Sequence, residues 1–135
     1  MRAPIALLAV LLVAGPATAE AATRNGITPL SPKPGAQVPA GKSPLFRMRV
    51  TGPGSVWVHV CKSAKRGKHG TICGKQIGEA SKSGDEYRFR PKFFDFPGFW
   101  LNQPGVWHWQ AFRIDCGGRT GDCLQEGPVV RFRVR

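Results

Sequence analysis

Beyond its first twenty residues this chain places its apolar side chains at every second position, in short runs. Phe46, Met48 and Val50 alternate with Arg47 and Arg49. Val56, Val58 and Val60 alternate with Trp57, His59 and Cys61. Tyr87 and Phe89 alternate with Arg88 and Arg90, and Val130, Phe132 and Val134 with Arg131, Arg133 and Arg135. Successive side chains of an extended strand point to opposite faces, so this pattern describes strands with one apolar and one polar face. After residue 20 no stretch of ten or more positions repeats apolar residues at three-to-four spacing, which excludes a helical fold. Turn signals separate the runs: Thr51-Gly52-Pro53-Gly54, Ser81 to Asp85, and Gln103-Pro104-Gly105. About seven strands at roughly ten-residue intervals predict an all-β, antiparallel, two-sheet sandwich. Its segments are Leu30 to Pro39 as extended edge chain, Leu45 to Val50, Ser55 to Cys61, Gln76 to Ala80, Tyr87 to Arg90, Val106 to Cys116 and Val129 to Arg135.

The 135 residues allow one domain. The start of the chain has the form of a removable export leader: Met1-Arg2, then the apolar run Ile5 to Val13, then the small-x-small site Ala17-Thr18-Ala19. Gly15-Pro16 stops the apolar run well short of the roughly 20 residues a membrane span needs. Val129 to Arg135 lacks the apolar tail of a C-terminal anchor. The expectation is a leader over 1–19, a mobile small and polar segment over 20–29, and a single domain over 30–135, released outside the cell with no transmembrane segment. Lys and Arg number 20 against 8 Asp and Glu, a net charge of +12. Such a balance attracts polyanions. It argues against an acidic disordered tail, and the length argues against a multidomain enzyme, a membrane bundle or a coiled coil.

Cys61, Cys73, Cys116 and Cys123 predict two disulfides in an exported chain, with three pairings open. The rival is a metal site, since His59, Cys61, His69 and Cys73 fall within 15 residues. Zinc sites favour tight Cys-x(2–4)-Cys pairs, and the chain has none, so no metal and no cofactor are expected.

Three stretches resemble secreted fibronectin type III-like or immunoglobulin-like domains of the bacterial kind. Ser31-Pro32-Lys33-Pro34-Gly35-Ala36 is similar to the opening of such domains. Pro104-Gly105-Val106-Trp107-His108-Trp109-Gln110-Ala111-Phe112-Arg113 resembles strand F, and Gly127-Pro128-Val129-Val130-Arg131-Phe132-Arg133-Val134 resembles strand G. The likeness spans residues 27–135. It departs from the family in lacking the strand F tyrosine and in carrying two disulfides. It implies strands A, B and E in one sheet and C′, C, F and G in the other. Cys61 and Cys116 then lie at opposite ends of the second sheet, too far apart to bridge. The resemblance therefore implies the pairs Cys61–Cys73 and Cys116–Cys123. It is nearly silent on function.

In that topology Arg47, Arg49, Arg88 and Arg90 share one exposed face. Guanidinium forks suit phosphate, sulfate or carboxylate, so these four are the candidate anion-binding residues. A second basic segment, Lys62, Lys65, Arg66, Lys68 and His69, falls in a loop. Trp57, His59 and His108, with Phe112, could form an aromatic contact on the outer face of the other sheet. Phe112 and Ile114 face opposite to Trp107, Trp109 and Ala111, which predicts a bulge in that strand. Phe93, Phe94, Phe96, Phe99, Trp100 and Leu101 form a dense apolar connection, expected to plug the open end of the sandwich. No nucleophile, metal-protease or phosphate-loop motif occurs, and no nucleic-acid-reading signature. No catalytic residue is expected. The sequence reads as an exported, non-catalytic binding or adhesion module for an anionic partner, polymer or protein, at the cell surface. The alternative is an envelope-associated structural domain with no specific ligand.

Overall fold

The alternating runs become strands. The computed structural model describes residues 22–67, 70–73, 78–91, 103–117 and 123–135. The leader over 1–19, Lys68, His69 and the aromatic connection from Phe93 to Leu101 lie outside the described residues. Those described are all-β: β1 (Ile27–Ser31), β2 (Gln37–Val38), β3 (Phe46–Val50), β4 (Ser55–Cys61), β5 (Gly78–Glu79), β6 (Ser81–Ser83), β7 (Glu86–Phe89), β8 (Gly105–Ile114) and β9 (Leu124–Val134). They form a four-stranded sheet, β1-β3-β7-β6, and a curled five-stranded sheet, β2-β9-β8-β4-β5. Among the described residues no helix is long and apolar enough to cross a membrane.

Apolar residues from both sheets share one core. Ile27, Phe46 and Met48 from the first sheet meet Val56, Val58, Val60, Trp107, Trp109, Ala111, Val130, Phe132 and Val134 from the second. Phe46 sets its ring edgewise against Trp109, centroids 5.3 Å apart, and against Phe132 at 6.1 Å. The buried Trp109 indole N–H donates to the Pro32 carbonyl at 3.0 Å, so this large ring is buried without a stranded donor.

Both local disulfides form. Cys61–Cys73, with Cα atoms 6.2 Å apart, ties the loop after β4 back to that strand. Cys116–Cys123, at 4.7 Å, closes the connection between β8 and β9.

Four details differ from the sequence reading. The ladder is not wholly antiparallel, because β2 runs parallel to β9, with Gln37 beside Arg133 and Val38 beside Val134. The chain leaves the first sheet after β1, turns at Pro34-Gly35 and enters the second sheet, so Leu30 to Pro39 serves both. The segment expected to be mobile over 20–29 already contains the start of β1, where Ile27 is fully buried and paired with Val50. The last strand begins at Leu124 rather than Val129.

The expected bulge exists, but on the neighbouring strand. β8 keeps its alternation from Val106 to Ile114, and the extra residue lies in β9, where Gln110 pairs with Val129 and Phe112 with Glu126. Gly127 sits at this bulge because a Cβ there would lie 2.7 Å from the Ala111 carbonyl oxygen and 2.8 Å from the Ile27 side chain. Only glycine lets β9 pass so close to β8 and β1.

Candidate functional site

The outer face of the four-stranded sheet brings the four expected arginines together. Register places Arg47 opposite Arg88 and Arg49 opposite Glu86, with Phe46, Met48, Tyr87 and Phe89 turned inward. The face is not of one sign, however. Glu86 stands among the arginines and accepts Nε of Arg47 at 2.9 Å and its Nη2 as a two-point fork. Arg88 lies 3.5 Å from the same carboxylate. Arg49 lies 3.7 Å from the exposed Asp85, and Arg90 donates to the Ser43 carbonyl at 2.7 Å. The hydrogen bonds from Arg47 hold the Glu86 carboxyl below its ordinary range, and the Arg47 guanidinium is raised in turn, chiefly by the same bonds. Forks already engaged with an internal carboxylate are not available to an external anion unless that pairing is broken.

The outer face of the five-stranded sheet divides into a sealed end and an open end. In the ladder Trp57 pairs with Phe112, His59 with Gln110 and Cys61 with His108, so the three aromatic candidates do share this face. They do not share exposure. The loop clipped by Cys61–Cys73 folds back over His59, which is 4% exposed. The imidazole Nδ1–H donates to the Ile72 carbonyl at 2.6 Å, and Phe112 meets the ring edgewise at 4.5 Å. Gln110, also fully buried, accepts the Ile72 N–H at 2.9 Å and donates to the Gly127 carbonyl at 2.9 Å. Burial lowers the His59 pKa, and its buried Nε2 has no hydrogen-bond partner among the described residues. His59 is therefore a packed, neutral residue and cannot reach a ligand. Trp57 is half-buried, its indole N–H donating to Ser55 Oγ at 3.0 Å.

The clipped loop is tied down electrostatically as well. Glu126 Oε1 takes Arg24 at 2.7 Å and Arg66 at 3.1 Å, so Arg66 of the expected basic loop is neutralised internally. Lys62 donates to Gln103 Oε1 at 2.6 Å and lies 5.4 Å over the Trp107 ring. Both cysteines of this loop are bridged, and among the described residues no group of three or more His, Cys, Asp or Glu could hold a metal ion.

The open end carries the arginines that the sequence reading left out of its site. Arg131 and Arg133 point outward from β9, both exposed, and Arg135 follows in the same phase just beyond it. Arg131 sits opposite His108, and Arg133 between Val106 of β8 and Gln37 of β2. Neither guanidinium has an ion-pair or hydrogen-bond partner among the described residues, where Arg47, Arg66 and Arg88 each have a carboxylate. Beside them runs a groove of about 400 Å³, walled by the Pro34-Gly35 turn, Gln37 and Val106. The His108 Nδ1–H donates to the Lys62 carbonyl at 2.9 Å, which holds that ring opposite Arg131. Charge alternation from Arg131 to Arg135 was visible in the sequence. What singles these residues out is that no acid shares their register.

No protein-family model, curated protein or solved structure matches the chain.

Proposed function

We propose that the chain is an exported, non-catalytic binding module that holds an anionic partner at the cell surface, built as a fibronectin type III-like sandwich. The architectural part is supported by sheet membership. β1, β3 and β7 correspond to strands A, B and E, and β9, β8, β4 and β5 to G, F, C and C′. Export is supported by the leader-like start and by two disulfides, which persist in oxidising compartments.

The binding part rests on one observation: Arg131 and Arg133 stand exposed, and without a partner among the described residues, on a strand held between two others. A protein with a net charge of +12 attracts anions everywhere at long range. Two arginines rooted at a set spacing on one strand and lining a groove add a place where both guanidinium forks meet the same partner. Arg47, Arg49, Arg88 and Arg90 contribute to the long-range field and less to contact.

The test is retention on immobilised heparin. Arg131→Ser with Arg133→Ser removes two positive charges, and so does Arg47→Ser with Arg88→Ser. The first variant is expected to elute at clearly lower salt than the second. Equal losses would leave only bulk charge, the behaviour of an envelope-associated domain with no specific ligand. A larger loss in the second variant would return the site to the four-stranded sheet.

A further inference from the structure

We infer that the partner held by Arg131 and Arg133 is a linear phosphodiester polymer of the polyol-phosphate kind, lying along β9; this rests on the binding role proposed above. Three observations point to it. The first is periodicity. Residues two apart on a strand lie roughly 7 Å apart and on the same face. Arg131, Arg133 and Arg135 therefore form a straight row of cations at that pitch. A compact anion needs one such group, whereas a row matches a polymer that repeats its charge along its own backbone. A short polyol-phosphate repeat extends over a comparable length.

The second is the form of the groove. Arg131 and Arg133 line it themselves, between Gln37 of β2 on one side and Val106 of β8 on the other. Its walls are fixed by main-chain bonds: the Gly35 N–H donates to the Arg131 carbonyl at 2.9 Å, and the Arg133 N–H to the Ala36 carbonyl at 2.8 Å. A polymer laid along β9 runs between these walls and over both arginines.

The third is the aromatic content of the neighbourhood. The Trp and Phe residues nearest in the ladder, Trp107 and Phe132, turn into the core and are 5% and 1% exposed, and the ring on the row's own face is the His108 imidazole opposite Arg131. Single-stranded nucleic acids gain much of their affinity by stacking bases on exposed aromatic rings. Among the described residues the row offers no Trp, Tyr or Phe platform. That disfavours a polymer of bases and leaves one whose contacts are phosphate alone. The guanidinium fork matches the paired non-bridging oxygens of each phosphodiester.

The experiment measures binding of the full chain to four soluble polymers at equal charge concentration: poly(glycerol phosphate), heparin, polyglutamate and oligo(dT). Each is titrated over a range of salt, with the unsubstituted chain and with Arg131→Ser/Arg133→Ser. Poly(glycerol phosphate) is expected to bind at least about tenfold tighter than the others, a difference of about 1.4 kcal/mol. Its log–log salt slope is expected to flatten by about 1.4 in the double variant, at roughly 0.7 for each phosphate that is no longer neutralised. If all four polymers bind alike and all weaken in the variant, the polyol-phosphate inference is overturned while the basic row stands. If oligo(dT) binds tightest, the inference is likewise overturned in favour of nucleic acid. If the variant changes nothing for any polymer, both the inference and the proposed site fall.

Discussion

On the outer face of the four-stranded sheet Arg47 commits its fork to Glu86, and Arg88 leans on the same carboxylate. On the outer face of the five-stranded sheet Arg131 and Arg133 alternate in the same one-in-two pattern and meet no acid among the described residues. The second face also contains what the first lacks, an end where outward-pointing residues are fully buried. Gln110 and His59 lie under the disulfide-clipped loop, while Ser81 and Ser83, outward on the first sheet, remain exposed. An outward polar residue on a strand thus has three fates: solvated, paired across the register, or sealed beneath a loop. Alternation alone does not separate them, because all three satisfy the same period.

The sharpest test of the sealed end is Gln110→Ala. The side chain accepts the Ile72 N–H and donates to the Gly127 carbonyl, and removing it strands two buried main-chain groups. At about 1–3 kcal/mol for each unsatisfied group, the variant should lose about 3 kcal/mol, read as a lower urea midpoint. Ser81→Ala, also an outward polar position, should stay within about 0.5 kcal/mol. Comparable small losses in both would mean that the loop does not pack on the sheet, and the contrast between the two faces would disappear.

These fates mark how far the sequence could be read. The cores of β3, β4 and β9 were legible because Phe46 and Met48, Val56 to Val60, and Val130 to Val134 alternate without interruption. Ile27 was not, because a single apolar residue in a small polar segment has no period, and its burial comes from pairing with Val50 across the sheet. The early part of β9 was hidden because Leu124 to Pro128 carries no alternating apolar run, and Gly127-Pro128 makes a bulge inside the strand. The local disulfides followed from the resemblance, not from the spacing alone. For the candidate site, gathering Arg47, Arg49, Arg88 and Arg90 on one face was legible from parity together with the strand neighbours that the resemblance implies. Their neutralisation was not, since it depends on the register that puts Glu86 opposite Arg49 and beside Arg47. Burial of His59 was equally invisible, because it is imposed by the loop after β4, which folds Ile72 back onto the ring without any periodic signal.

A smaller effect probes the paired face. Glu86→Gln keeps the shape of the side chain but releases Arg47 and Arg88 from its charge. Glu79→Gln, on the exposed edge strand β5, removes the same charge away from any arginine cluster. Both variants gain one net positive charge, so bulk attraction rises equally. Glu86→Gln should nevertheless elute from immobilised heparin at the higher salt, because it alone creates free forks. Equal elution would mean that the carboxylate does not silence this face, and the reason for preferring β9 would weaken.

The smallest signal is in the pH dependence of stability, and it belongs to the sealed end. Desolvation lowers the His59 pKa in the folded chain, outweighing the hydrogen bond to the Ile72 carbonyl that raises it. The groups packed on the ring, Phe112, Ile72 and Gln110, carry no charge that could hold an imidazolium. The unfolded chain binds the His59 proton at the ordinary value of 6.5, before the folded chain does. This contribution to stability is therefore complete above that value and is lost as pH falls from it toward the lower folded-state value. Urea midpoints taken from about pH 8 down to about pH 5 should decline below the ordinary histidine range. In His59→Gln this part of the decline should disappear, whereas in Glu86→Gln it should persist, because Glu86 is held below its ordinary 4.5 and titrates only in more acidic solution. A decline that survives His59→Gln would assign the acid sensitivity to another group and leave the unpartnered Nε2 without a measurable consequence.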